Sequence, residues 1–205
     1  MKKYVRLLPF VLATLLAFAL LPAFAAAQDL HPSRRPSPMG MARVTLDDGT
    51  YVRVVYSRPY LRGRENIFGA KESEALVPFG ELWRFGANEA TEVSVTETVT
   101  VGGKKLPAGT YSVFVTPGEK EWTFHFNSAL GLNGNFARNP ESGEFENAYK
   151  AENDVATATA AVGQLGADAE EVDQLTISFE KAEGGAHMIV RWQKTEVRVP
   201  VASAS

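Results

Sequence analysis

The chain has 205 residues, of which 45% are hydrophobic and 22% charged, and a formal net charge of −3. That length suits one domain, and the composition supplies a core and excludes wholesale disorder. The mildly acidic balance excludes nucleic acid or anionic lipid held by bulk charge, and the absence of cysteine excludes disulfides, thiolate catalysis and cysteine-ligated zinc.

The N-terminus reads as a secretory signal. Lys2, Lys3 and Arg6 precede an apolar stretch over residues 7–24, and Ala25-Ala26-Ala27 offers small residues to signal peptidase. Pro22 and the alanines favour cleavage over retention as an anchor. We expect residues 1–27 to be removed, leaving no membrane span and placing the protein in the periplasm or outside the cell. No cysteine follows the apolar stretch, so a lipoprotein anchor is excluded. The mature chain then holds 18 basic and 24 acidic residues, a net charge of −6. Residues 28–40 contain Pro32, Pro36 and Pro38 and read as an extended tether. Within it His31, Arg34 and Arg35 read as solvated.

Residues 41–202 read as one domain of short strands. Asp48-Gly49, Gly102-Gly103 and Gly184-Gly185 are tight-hairpin dipeptides, suited to the positive φ of such turns. Pro107-Ala108-Gly109 and Pro117-Gly118 mark further turns. Between them the apolar residues alternate. Val52, Val54 and Tyr56 share a face; so do Val93, Val95, Val99 and Val101; so do Trp122, Phe124 and Phe126. Leu175, Ile177 and Phe179, then Met188, Val190 and Trp192, then Val197, Val199 and Val201 continue the pattern. Period two with one polar face predicts antiparallel sheets, and many such strands predict an all-β sandwich, jelly-roll-like, with little helix. Residues 128–147 are polar and glycine-rich and read as a long loop, and residues 163–172 as an acidic connection. A second long decorated loop is expected over residues 58–82.

The segment from Tyr56 to Thr91 interleaves arginine, aromatic and glycine residues between two strands. It holds Tyr56-Ser57-Arg58-Pro59, Gly63-Arg64, Ile67-Phe68-Gly69, Leu76-Val77-Pro78, Trp83-Arg84 and Gly86-Ala87-Asn88-Glu89-Ala90-Thr91. Leu106-Pro107-Ala108-Gly109-Thr110-Tyr111-Ser112, Trp122 and Phe126-Asn127 follow in order. In these motifs the chain resembles a bacterial family catalogued as domain of unknown function 2911, over about residues 37–200. The resemblance implies an exported β-rich protein and assigns no reaction, cofactor or catalytic residue. Two departures bear on local shape: Phe85 stands where a small polar residue is expected, and residues 70–75 look like an insertion.

Read physically, Arg58, Arg62, Arg64 and Arg84 supply forked donors suited to carboxylate, phosphate or sugar oxygens. Trp83 with Phe68 offers a stacking face, and Asn88 and Glu89 lie where a strand begins. Two readings stay open. In one, Arg58, Arg62, Arg64, Trp83, Arg84, Asn88 and Glu89 hold a small polar or anionic ligand or an envelope partner. In the other, Arg58, Arg64 and Arg84 pair with Glu65, Glu81 and Glu89 and pin the loop to the sandwich. The function expected is a non-enzymatic binding or structural module; the alternative is a glycosidase-like hydrolase using acids of the same loop. His125 lies opposite Trp122, Phe124 and Phe126 and reads as a half-exposed sheet residue. No Gly-x-Ser-x-Gly elbow, His-Glu-x-x-His pair, P-loop or dinucleotide fingerprint occurs. No metal site and no cofactor is expected.

Overall fold

The computed structural model describes residue 31, residues 34–139 and residues 141–204. The expected signal segment, residues 1–27, lies outside the described residues. The chain divides into two units, 1–36 and 37–205. Among the described residues of the first, the backbone N–H of Arg34 donates to the carbonyl of His31 at 2.8 Å. The second holds all the described strands.

Among the described residues, fifteen strands follow in chain order. They are β1 (Met39–Thr45), β2 (Tyr51–Ser57), β3 (Phe68–Gly69), β4 (Val77–Pro78), β5 (Thr91–Val95), β6 (Val99–Val101), β7 (Lys104–Leu106) and β8 (Gly109–Pro117). Then come β9 (Glu121–Asn127), β10 (Phe136–Arg138), β11 (Phe145–Asn147), β12 (Asp154–Gln164), β13 (Val172–Ala182), β14 (Gly185–Gln193) and β15 (Thr195–Ser203). Two single 3-10 turns, Lys71–Ser73 and Ala151–Asn153, are the described helical elements of this unit. No described helix is long and apolar enough to cross a membrane.

β1 begins at Met39, inside the stretch expected to be tether. Arg58 N–H donates to the Pro38 carbonyl at 2.9 Å, so the ladder with β2 already runs past the start of the strand.

The main sheet runs β1-β2-β5-β8-β9-β12-β15-β14-β13, with β6 and β7 attached beside β15. It turns over at β12. Residues 154–161 pair with β9, whereas residues 162–164 pair with β15. The first layer is therefore β1-β2-β5-β8-β9-β12, and the second is β12-β15-β14-β13 with β6-β7. All pairings in these layers are antiparallel. The sheet is not closed into a barrel.

The alternating residues face inward. Val54, Val93, Val113 and Phe124 of the first layer share one apolar core with Leu175, Ile177, Val190 and Val199 of the second. Every second side chain is removed from water in this way, and that burial drives the packing. Within the core the rings of Phe68, Trp83, Phe85, Trp122, Phe124 and Trp192 meet in one aromatic cluster. Trp83 stacks on Trp192 at 6.1 Å and 17°, and meets Phe85 edge-on at 5.6 Å. Phe85 is fully buried there, which is why an aromatic is accommodated where a small polar residue was expected.

The β13–β14 turn is one residue earlier than the sequence suggests. Ala182 pairs with Gly185, so Glu183-Gly184 form the loop and Gly184 takes φ +73°. Gly185 is already in the strand, where a Cβ would lie 2.3 Å from the Val201 carbonyl oxygen. Its need for glycine is close backbone approach rather than turn geometry.

Candidate functional site

The Arg- and aromatic-rich segment leaves β2 and crosses to the free edge of β13. Tyr56, buried in the core, sends its hydroxyl to β13, accepting Ile177 N–H at 2.8 Å and donating to the Ile177 carbonyl at 3.2 Å. Burial pushes the Tyr56 phenol above its ordinary pKa, so it stays a donor. Arg58 Nε donates to the Leu175 carbonyl at 3.1 Å and Nη2 to Thr176 Oγ1 at 3.0 Å. Gln174 Nε2 answers by donating to the Arg58 carbonyl. Leu175 N–H donates to the Pro59 carbonyl and Leu61 N–H to the Asp173 carbonyl. A sheet edge otherwise presents unpaired N–H and C=O groups; here side chains and the extended backbone of 59–61 satisfy them.

The other expected site residues divide between loop, core and one corner of the sheet. Arg64 is exposed and donates to the Tyr60 carbonyl at 2.7 Å. Arg62 sits in an exposed turn at φ +52°. Glu81 is held by Lys71 at 2.9 Å rather than by an arginine. Trp83 is 9% exposed, donates Nε1–H to the Gly86 carbonyl and belongs to the core. The segment 70–75 contains an exposed 3-10 turn, Lys71–Ser73, tied back by Asn66 Nδ2 donating to the Ser73 carbonyl, and ends on the buried Ala75.

Arg84 lies where residues 84–91 meet the long loop, with the Glu89 charge acting on it, whereas Asn88 turns to Ser37 and to the end of β2. Trp83 and Val115 exchange both backbone hydrogen bonds at 2.8 Å, which places Arg84 beside the outer face of β8. Ala90 N–H donates to the Leu132 carbonyl of the loop. Asn88, at φ +55°, donates through Nδ2 to the Ser37 carbonyl and to Ser57 Oγ, both at 3.1 Å. The Arg84 guanidinium lies against Gly134, where a Cβ would stand 2.8 Å from Nη1. Desolvation lowers the Arg84 pKa, and the charge of Glu89 opposes that shift.

A second polar cluster occupies the outer face of the first layer. His125, on β9, faces away from the core, as the alternation with Trp122, Phe124 and Phe126 requires. His125 Nδ1 is 3.1 Å from Asp154 Oδ2, and its Nε2 is 3.1 Å from Thr116 Oγ1. Tyr149 donates its hydroxyl to the same Asp154 Oδ2 at 2.8 Å, and Asn127 Nδ2 donates to Oδ1 at 2.8 Å. Burial first, then the hydrogen bond to Asp154, raises the Tyr149 pKa. Asn127 Nδ2 also donates to the Lys150 carbonyl, and Asn127 Oδ1 accepts Ala129 N–H. These bonds tie both ends of the long loop to the sheet, while Leu132 and Tyr149 pack over Phe114. Beneath the loop, Ser112 is fully buried and its Oγ has no partner among the described residues.

In sequence, His125 and Asn127 are visible as polar alternates on an apolar strand. Nothing local marks Asp154, because His125 and Asn127 are 29 and 27 residues away and are met only when β12 pairs with β9; Tyr149 joins the cluster through Asp154.

Fold and site together define an all-β, two-layer protein whose outer sheet face is partly roofed by a long loop. The chain belongs to the family described as protein of unknown function (DUF2911), whose model matches residues 37–201. No curated protein and no solved structure matches it.

Proposed function

We propose that the protein is an exported binding or structural module of the bacterial envelope, and that the segment 56–91 has two halves with different duties. Residues 56–83 form a strap: Tyr56 and Arg58 cap the β13 edge, and Trp83 anchors the crossing in the core. Residues 84–89 supply the binding surface: Arg84 lies against the long loop, Asn88 and Glu89 follow it in the same segment, and a small anionic or polar ligand is held there.

The observation that carries this reading is how the arginines are used. Arg58 donates to a carbonyl and a hydroxyl of β13. Arg84 is exposed, with its guanidinium against the long loop at Gly134, and such a forked group is geometrically suited to bind a carboxylate or phosphate. Export is supported by the basic, apolar and small-residue order of residues 2–27.

Thermal shift tests the division, with inorganic phosphate, citrate and glucuronate as probes. A ligand that binds only the folded state raises the midpoint by mass action. At least one probe is expected to raise it, and Arg84→Met is expected to remove that rise while keeping the unliganded midpoint. A rise that persists in Arg84→Met, or no rise with any probe, overturns the binding half.

A further inference from the structure

Three side chains on three adjacent strands form a hydrogen-bonded line on the outer face: Thr116 on β8, His125 on β9 and Asp154 on β12. The direction of each bond follows from Asp154. A carboxylate only accepts, and this one takes Asn127 Nδ2–H at Oδ1 and Tyr149 O–H at Oδ2. Its contact with His125 Nδ1 therefore requires a proton on Nδ1. A neutral imidazole with Nδ1–H carries its lone pair on Nε2, the atom that faces Thr116 Oγ1.

Anchoring the loop accounts for Asn127, Tyr149 and Asp154. It does not account for the Nε2 side of His125, which meets the loop only edge-on at the Tyr149 ring, 6.3 Å between centroids, and joins Asp154 to a threonine hydroxyl. The side chains of His125 and Asp154 are 18% and 11% exposed, and Thr116 is half-buried, so the line is partly open to solvent. A nucleophile bonded to a base, and the base bonded to an orienting carboxylate, is the arrangement that activates a hydroxyl for acyl transfer.

We propose that Thr116 and His125 form a nucleophile–base pair that hydrolyses short, uncharged acyl esters, with Asp154 as the positioning residue. The ester class follows from the neighbours. Thr123 stands directly opposite Thr116 across the β8–β9 ladder and Thr159 opposite Thr123, giving a row of uncharged hydroxyls. In the first step Thr116 Oγ1 bonds to the ester carbonyl carbon and its proton passes to His125 Nε2. The carbon–oxygen bond to the alcohol then breaks, and the alcohol leaves with that proton. Water attacks the acyl-threonine, again giving a proton to Nε2, and collapse returns the proton to Thr116 and releases the carboxylic acid. The sum is ester plus water to acid plus alcohol. This site uses none of Arg84, Asn88 or Glu89, so its failure and the failure of the ligand-binding reading are separate results.

The experiment is hydrolysis of p-nitrophenyl acetate by the full chain, with peptide mass spectrometry after acid quench and nitrogen-15 NMR of the histidine rings. Expected are saturable nitrophenolate release, an acetyl group on Thr116, and a protonated Nδ1 with a bare Nε2 on His125. Thr116→Val and His125→Gln should each lower the rate by about a thousandfold, the scale on which such constellations lose activity. Asp154→Asn should lower the rate and shift His125 to the other tautomer. The proposal is overturned if the folded wild type is no faster than free imidazole at equal concentration, if Thr116→Val keeps the rate, or if acetyl groups appear on other residues alone. Should a variant fail to fold, the wild-type tautomer and the site of acetylation decide the matter.

Discussion

Replacing Tyr56 by phenylalanine removes one oxygen and isolates the strap's contribution to stability. That oxygen meets both the N–H and the carbonyl of Ile177 on β13. The rest of the ring stays in the core, so no cavity forms. The loss is two hydrogen bonds, each worth about 1 kcal/mol net, plus the cost of leaving a buried N–H unpaired, about 1–3 kcal/mol. The sum is about 3–5 kcal/mol. For a domain of this size that corresponds to a fall in Tm of roughly 6–20 °C. Urea denaturation followed by tryptophan fluorescence reads it directly, with the midpoint lowered and the slope unchanged, because the surface exposed on unfolding is the same. Exchange of the Ile177 amide should accelerate as well. A loss below about 0.5 kcal/mol, the range of an ordinary surface substitution, would refute the view that this hydroxyl closes the β13 edge.

Further outcomes follow from the same structure. Gly134→Val places a side chain against the Arg84 guanidinium at a residue with φ +69°; it should cost about 1 kcal/mol or more and abolish any probe-induced rise in midpoint, read by thermal shift. Hydrogen bonds from Arg198 and Arg191 hold Glu196 below the usual carboxylate range against the opposing cost of burial. A lowered folded-state pKa adds stability that is present above the unfolded value and lost as pH falls through the folded one. Glu196→Gln should therefore be less stable than wild type near neutrality, and the gap should close in urea titrations below about pH 4.5. Edman sequencing of protein recovered from the periplasm or medium of an expressing bacterium should begin within a few residues of Gln28; an N-terminus at Met1 in the cytosol would contradict export.

The sheets were legible because burial repeats every two residues. Val52, Val54 and Tyr56 alternate inward as their spacing requires, and the same holds for Trp122, Phe124 and Phe126. The order of strands was not legible. Nothing in the sequence of β12 announces that its first eight residues join β9 and its last three β15; that division arises from long-range packing. The long loop at 128–147 was legible as polar and glycine-rich, but its short β10–β11 hairpin was not. At the candidate site, arginines could be found by type and not by employment. Arg58 and Arg84 look alike in sequence. Only the register of β13 against residues 56–61 makes Arg58 an edge cap, and only the fold of the long loop brings Gly134 against the Arg84 guanidinium.

Arg58→Met and Arg84→Met, compared side by side in urea without ligand, test the division of the segment most directly. Removing Arg58 strips donors from the Leu175 carbonyl and Thr176, so its midpoint should fall by an amount equivalent to about 1–3 kcal/mol. Arg84→Met should unfold close to the wild-type midpoint. Equal losses in both variants, or a larger loss at Arg84, would contradict the assignment of strap and binding surface.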